Sequence, residues 1–182
     1  MTAVANTQQA LNRAMLEAVD FVHREGWDAP PTLFGLVPTA VLADAGATLH
    51  DDDTAAEAPL TLVVQDALPE NITAGSGMLA DYLGRIAWPP QVIGVILAQE
   101  IAFRDASAEN AEPRPARLFS GVLRSGVEQT LLQFRLTEEE LEARGPFAED
   151  ELELHGGPEV APEVIAALQY GLEQDPETID LI

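Results

Sequence analysis

Apolar positions recur along this chain in two rhythms, and each predicts a different kind of element. Leu11, Met15, Ala18, Val19 and Val22 stand at helical spacing, so the first element is an amphipathic helix. Asn6 or Thr7 caps it, and Gly26 supplies its stop. Asp28-Ala29-Pro30-Pro31 forces an extended turn, because a residue before proline is pushed out of the helical region. Leu33 to Val37 then reads as a short buried strand, and Pro38 and Thr39 open a brief helix through Ala43 that Gly46 ends. Leu60 to Val64 is a second strand, followed by a turn around Pro69. A helix runs from Met78 to Ile86 with Leu79, Tyr82 and Leu83 on its apolar side, and Trp88-Pro89-Pro90 breaks it.

The later half is dominated by strands. Val92 to Ala98 is apolar at every position, the pattern of a central strand covered on both faces. Arg117 to Leu123 and Val127 to Leu136 flank Arg124-Ser125-Gly126, which is the clearest hairpin signal in the chain. In its second arm Thr130, Leu132, Phe134 and Leu136 alternate with Leu131, Gln133 and Arg135. That alternation predicts Phe134 on the core face and Gln133 on a wet one. Thr137-Glu138-Glu139-Glu140 is a capping-box pattern, Leu152 and Leu154 suggest a short edge strand, and a last helix spans about Glu159 to Glu173. Without strand–helix–strand alternation or an internal repeat, the fold class is α+β. It is read as an antiparallel sheet that includes the C-terminal-half hairpin, packed by N-terminal, middle and C-terminal helices on one side. Residues 1–182 form one domain, with acidic loops near 50–58 and 105–115 and a tail over 175–182.

Charge narrows the classes of partner. The 31 Asp and Glu residues against 9 arginines, with no lysine, leave a net charge of −22. Such a field repels phosphate backbones and anionic headgroups, which argues against nucleic-acid and membrane partners and in favour of basic partners, metal cations or simple solubility. A protein partner or a homodimer is expected from the sheet edge. The absence of cysteine excludes disulfides, thiolate metal sites and a thiol nucleophile. The N-terminal stretch lacks a positive region leading into an apolar run, and no apolar run is long enough to span a bilayer, so the expected location is cytoplasmic.

No catalytic constellation emerges from the motifs, and neither a metal nor a cofactor is implied. His23, His50 and His155 are far apart and lack metal-ligand spacing. Asp51-Asp52-Asp53 with Glu57 lacks the alternating ligands and tight glycine of a calcium loop. Gly75-Ser76-Gly77 has no phosphate-loop frame, and Ser125-Gly126 is accounted for by turn geometry. Four residues remain as binding candidates. Glu100 closes the apolar strand, where a carboxylate is costly unless paired, and Arg117, Arg124 and Arg135 on the hairpin are its expected partners. Arg124 is itself the second candidate. Arg85 and Trp88 flank the proline break, where a tryptophan either closes a helix end or anchors a ligand.

Several of these segments occur in an order that resembles a known family. Gly26-Trp27-Asp28, the run Pro30 to Ala40, Gln65-Asp66, Leu68-Pro69, Arg85-Ile86-Ala87-Trp88-Pro89, Gly94, Glu100 and Gly121-Val122-Leu123-Arg124 are similar to the motifs of an uncharacterised family of small acidic actinobacterial proteins. The resemblance covers about residues 10–136. It implies an intracellular protein with no assigned activity and carries no catalytic residue onto this chain. The loop after Phe103 is shorter than in the family.

These readings favour a non-enzymatic binding or adaptor protein. A small-molecule enzyme or sensor built on Glu100, Arg85 and a hairpin arginine is the alternative, and a chaperone-like holder of an unfolded segment is a third. One consequence is independent of the choice. A net charge of −22 makes the compact state self-repelling, and screening over roughly 10 Å at 0.1 M salt relieves that repulsion. The melting temperature is therefore expected to rise from low to moderate NaCl. A fall would mean that specific arginine–carboxylate pairs outweigh the repulsion.

Overall fold

A computed structural model describes residues 7–39, 60–65, 77–86, 88–89, 91–103, 113–145, 154–156 and 162–173. Six antiparallel strands form one sheet: β1 (Thr32–Pro38), β2 (Leu60–Val64), β3 (Gly94–Phe103), β4 (Arg114–Leu123), β5 (Glu128–Phe134) and β6 (His155–Gly156). Their spatial order is β2-β1-β3-β4-β5-β6. Among the described residues four helices accompany them: α1 (Gln8–Glu25), α2 (Gly77–Gly84), α3 (Glu138–Arg144) and α4 (Pro162–Glu173). The α+β class and the β4–β5 hairpin stand as the sequence predicts.

Helices cover both faces of the sheet rather than one. Phe34, Leu36, Leu60, Ile96, Ala98, Phe119 and Leu123 point to one face, where Leu11, Met15, Ala18 and Val22 of α1 pack on them. Leu33, Val37, Val95, Leu97 and Val122 point the other way and meet Leu79 and Leu83 of α2 and Val164, Leu168 and Leu172 of α4. Every-residue hydrophobicity in β3 is the cause: Val95 and Leu97 need a cover as much as Ile96 and Ala98 do. A smaller cluster of Ala116, Leu118 and Leu132 with Phe103 and Phe134 extends the second face toward the far end of the hairpin.

This two-sided cover overturns the expected faces of β5. Gln133 is buried, and Phe134 is only half-buried, its ring edge-on to Phe103 at 5.5 Å. The end of α1 and the turn after it lie over the Gln133 face, so that face is dry and its amide must find a partner. β3 also runs five residues past Ala98, which carries Gln99 and Glu100 into the sheet. Residues 40–43 of the brief helix expected through Ala43, the turn around Pro69, the loop over 50–58, residues 105–112 of the second acidic loop, Leu152 and the tail lie outside the described residues. Pro38, expected to open the brief helix, instead ends β1, and Arg114 and Pro115, expected in the second loop, begin β4. Leu154 sits against the α1 layer, and the edge strand expected there is β6.

The helix ends follow their caps. Thr7 accepts from the Ala10 N–H at 3.1 Å and opens α1, while Gly26 at φ +90° closes it. Thr137 and Glu140 form the full capping box of α3. Glu140 is held below the usual carboxylate range by the Thr137 backbone N–H and by Arg114, 2.6 Å away, which ties α3 to β4.

Glycine lets α4 approach α2. A Cβ on Gly171 would stand 2.9 Å from the Ile86 carbonyl oxygen and 3.0 Å from that of Leu83, and backbone cannot yield there. Gly171→Ala is expected to destabilise by about 1–3 kcal/mol in urea melts with an unchanged slope. At Gly84 the nearest atom would be Tyr170 Cδ1 at 3.7 Å, so Gly84→Ala is expected to be neutral or mildly stabilising.

Candidate functional site

The four candidate residues divide between two places. Arg124, just past β4, works as a staple. Its Nε donates to the Val92 carbonyl at 2.7 Å, Nη1 to the Leu172 carbonyl, and Nη2 to the carbonyls of Trp88 and Pro89 at 3.2 Å each. One guanidinium thus satisfies the last turn of α4 and the segment between α2 and β3, whose carbonyls have no helical partners. Trp88 lies buried beneath it, in the layer formed by α2 and α4. Arg85 is exposed in the turn that follows α2.

Glu100 is elsewhere. It lies six residues along β3 from Gly94, which pairs with Leu123, so at about 3.3 Å per residue it is about 20 Å from the Arg124 end of the sheet. It shares a face with Ile96 and Ala98, on the opposite side of the sheet from α2 and Arg85. The fold does not bring these two candidates together.

Around Glu100 the sheet carries a polar knot. The carboxylate accepts from two successive backbone N–H groups, Asp28 at 3.0 Å and Ala29 at 2.7 Å. No described arginine reaches it as an ion pair, which corrects the expected pairing with Arg117, Arg124 or Arg135. The reason is the turn after α1, which drops two unmet donors onto the carboxylate. Asp28 holds φ +66°, a left-handed conformation that aspartate tolerates better than most residues. That conformation lays Trp27 back over β4.

Under Trp27 lies Arg117, directly across from Glu100 in the β3–β4 register and from Gln133 in the β4–β5 register. Its guanidinium carbon stands 4.0 Å from the centre of the Trp27 ring, while that of Arg135 stands 5.4 Å from the same ring. Arg135 also pairs with Asp28 at 3.1 Å. Arg117 is 1% exposed and donates through Nη1 to the Gln133 amide oxygen at 3.0 Å and toward His23 Nδ1 at 3.4 Å. A guanidinium can only donate, so that histidine nitrogen is the acceptor. Nε and Nη2 of Arg117 are buried without a hydrogen-bond partner. Burial pushes this guanidinium below the usual arginine range. Glu100 opposes the shift and Arg135 adds to it.

Sequence reading named Glu100 with Arg117 and Arg135 near it, but not Trp27, Asp28 or Gln133, nor how the group is joined. Trp27, Asp28, Arg117, Gln133 and Arg135 come from three separate segments, and only the alternation in β4 signals that Arg117 shares a face with buried Phe119. Among the described residues, no group of three or more histidines and carboxylates has the arrangement to hold a metal ion. No described helix is long and apolar enough to cross a membrane.

Glu100 should behave as the latch of the Trp27 turn. Glu100→Gln leaves one acceptor oxygen and turns an amide toward a backbone donor, with an expected loss of about 1–3 kcal/mol. Hydrogen exchange at the Asp28 and Ala29 amides should accelerate in the variant. Unchanged protection at both would mean that the turn is held by something else.

A family model described as PPA1309-like protein matches residues 11–173, which takes in every described element except the first three residues of α1. No curated protein and no solved structure matches the chain.

Proposed function

The chain belongs to the PPA1309-like family, which has no assigned activity, and from that membership together with the edge position of β2 among the described strands we propose that it is a non-enzymatic binding or adaptor protein. The edge of β2 carries this reading. Among the described residues β2 pairs with β1 alone, and Leu60-Thr61-Leu62-Val63-Val64 holds no charge in a chain whose charged fraction is 22%. Val63 and Val64 are 40% and 47% exposed and point to opposite faces. Edge strands that must stay unpaired are commonly blunted by charge, proline or extreme shortness, as the two-residue β6 is at the other edge. β2 has none of these devices, which suits the addition of an extended segment as a further strand.

Electrostatics choose between the occupants. A second copy brings another −22 charge to the contact, whereas a basic protein is attracted over long range. The partner is therefore an extended segment of a basic protein. Among the described residues the remaining exposed large apolar side chains, Leu16, Met78 and Tyr170, stand on three separate helices, which favours strand addition over a holder's broad apolar groove.

Lysines at both exposed positions test the proposal. Val63→Lys with Val64→Lys should alter stability by no more than about 0.5 kcal/mol each, because the sites are exposed. Capture from lysate should lose a basic interactor that the unaltered protein retains, and β2 amides should gain exchange protection in the recovered complex. Identical capture by both proteins, or no added protection in β2, would overturn the reading.

A further inference from the structure

Arg117 presents an unusual accounting of charge. The chain carries 31 carboxylate side chains, yet Arg117, the one fully buried arginine among the described residues, forms no ion pair with any described carboxylate. Its two partners, Gln133 and His23, are both reached through Nη1. The Nε and Nη2 donors remain unmet. In a guanidinium these two N–H groups lie parallel, the pair that grips the two oxygens of a carboxylate or phosphate. Leaving such donors buried and unmet costs free energy, and charged groups cost the most.

The nearest carboxylate is held back. Glu100 is the cross-strand neighbour of Arg117, close enough to raise its proton affinity, but both its oxygens are engaged by the Asp28 and Ala29 amides. The same turn carries Trp27, whose ring covers the guanidinium. Trp27 is itself half-exposed, and Gly26, which precedes it, holds φ +90° with open space where a Cβ would stand. Arg135, on the outer side of Trp27, has a side chain 41% exposed to solvent.

We propose that Arg117 is a binding site for a small oxyanion, a carboxylate or a phosphate group, which enters when the Trp27 turn lifts and is gripped through Nε and Nη2. Trp27 is the cover of the site, and Arg135 gives the approaching anion a local positive charge in an otherwise acidic molecule. Glu100 plays a double part. It latches the cover, and its charge opposes the ligand. Two strands, β1 and β3, separate β4 from the β2 edge, so occupancy of this site does not depend on the strand-addition reading.

The test follows the site's own protons. In ¹⁵N-labelled protein the Arg117 Nε–H and the Trp27 indole N–H are titrated with sodium phosphate in one arm and sodium acetate in the other. Ionic strength is held constant with NaCl. A saturable shift of both resonances is expected in at least one arm, and the arm that responds identifies phosphate or carboxylate as the ligand chemistry. Glu100→Gln should tighten binding several-fold, because it removes a neighbouring negative charge. Arg117→Lys keeps the charge without the parallel donors and should weaken binding tenfold or more. If that variant does not fold, the unaltered protein and Glu100→Gln still decide the matter. No saturable shift beyond the chloride control, no tightening in Glu100→Gln, or undiminished affinity in a folded Arg117→Lys would each overturn the assignment.

Discussion

Ten consecutive residue pairs join β3 to β4, from Gly94 opposite Leu123 to Phe103 opposite Arg114. This register positions everything else. Successive strand residues face opposite ways, so a slip of β3 by one position against β4 would turn Ile96 and Ala98 to the α2–α4 side and Val95 and Leu97 to α1, while Phe119 and Val122 kept their faces. With both faces dry, no such slip leaves an acceptable core. Glycine tightens the constraint: a Cβ on Gly94 would meet Leu123 Cδ2 at 2.5 Å, and one on Gly121 would meet Met15 Sδ at 2.6 Å. At Gly94 the Val122 carbonyl oxygen, 2.8 Å from such a Cβ, is backbone and cannot yield, whereas at Gly121 the Met15 side chain of α1 would have to shift.

Two arginines finish the layers at opposite ends of β4. Arg124 gathers the carbonyls of Val92, Trp88, Pro89 and Leu172, fastening α4 to the start of β3. Arg117, seven residues earlier and on the α1 side, stacks under Trp27 and binds Gln133. The chemical difference between them is instructive. Arg124 spends its donors on backbone carbonyls that end a helix and a loop, which is a closed structural arrangement. Arg117 keeps two donors unspent in a buried place, and a rigid aromatic cover with a carboxylate latch stands over them. The first explains architecture, and the second is the feature on which the proposed oxyanion site rests.

Much of the architecture was legible in the chain. Helical spacing from Leu11 to Val22, the uninterrupted apolar run at Val92 and the turn at Ser125-Gly126 depend on local periodicity and backbone freedom, which neighbouring residues determine. The caps at Thr7 and Thr137 are equally local. Less legible was the number of covered faces, although the apolar run already required two. Treating the helices as one layer made Gln133 a solvent-facing residue, and the folded chain buries it against Arg117.

Sequence by itself determined the acidic character, the α+β class, the hairpin and the importance of Glu100 as a costly carboxylate at the end of an apolar strand. Tertiary structure alone decided what that carboxylate binds. Asp28 and Ala29 lie 72 and 71 positions away along the chain, and their amides are free because a left-handed residue interrupts regular pairing just after α1. Likewise, no local pattern marks Trp27, Arg117, Gln133 and Arg135 as neighbours. Their meeting depends on strand register and on the angle at which α1 ends, both of which are set by packing across the whole sheet. Periodicity reports which side of its own element a residue occupies, and only the assembled layers report what waits on that side.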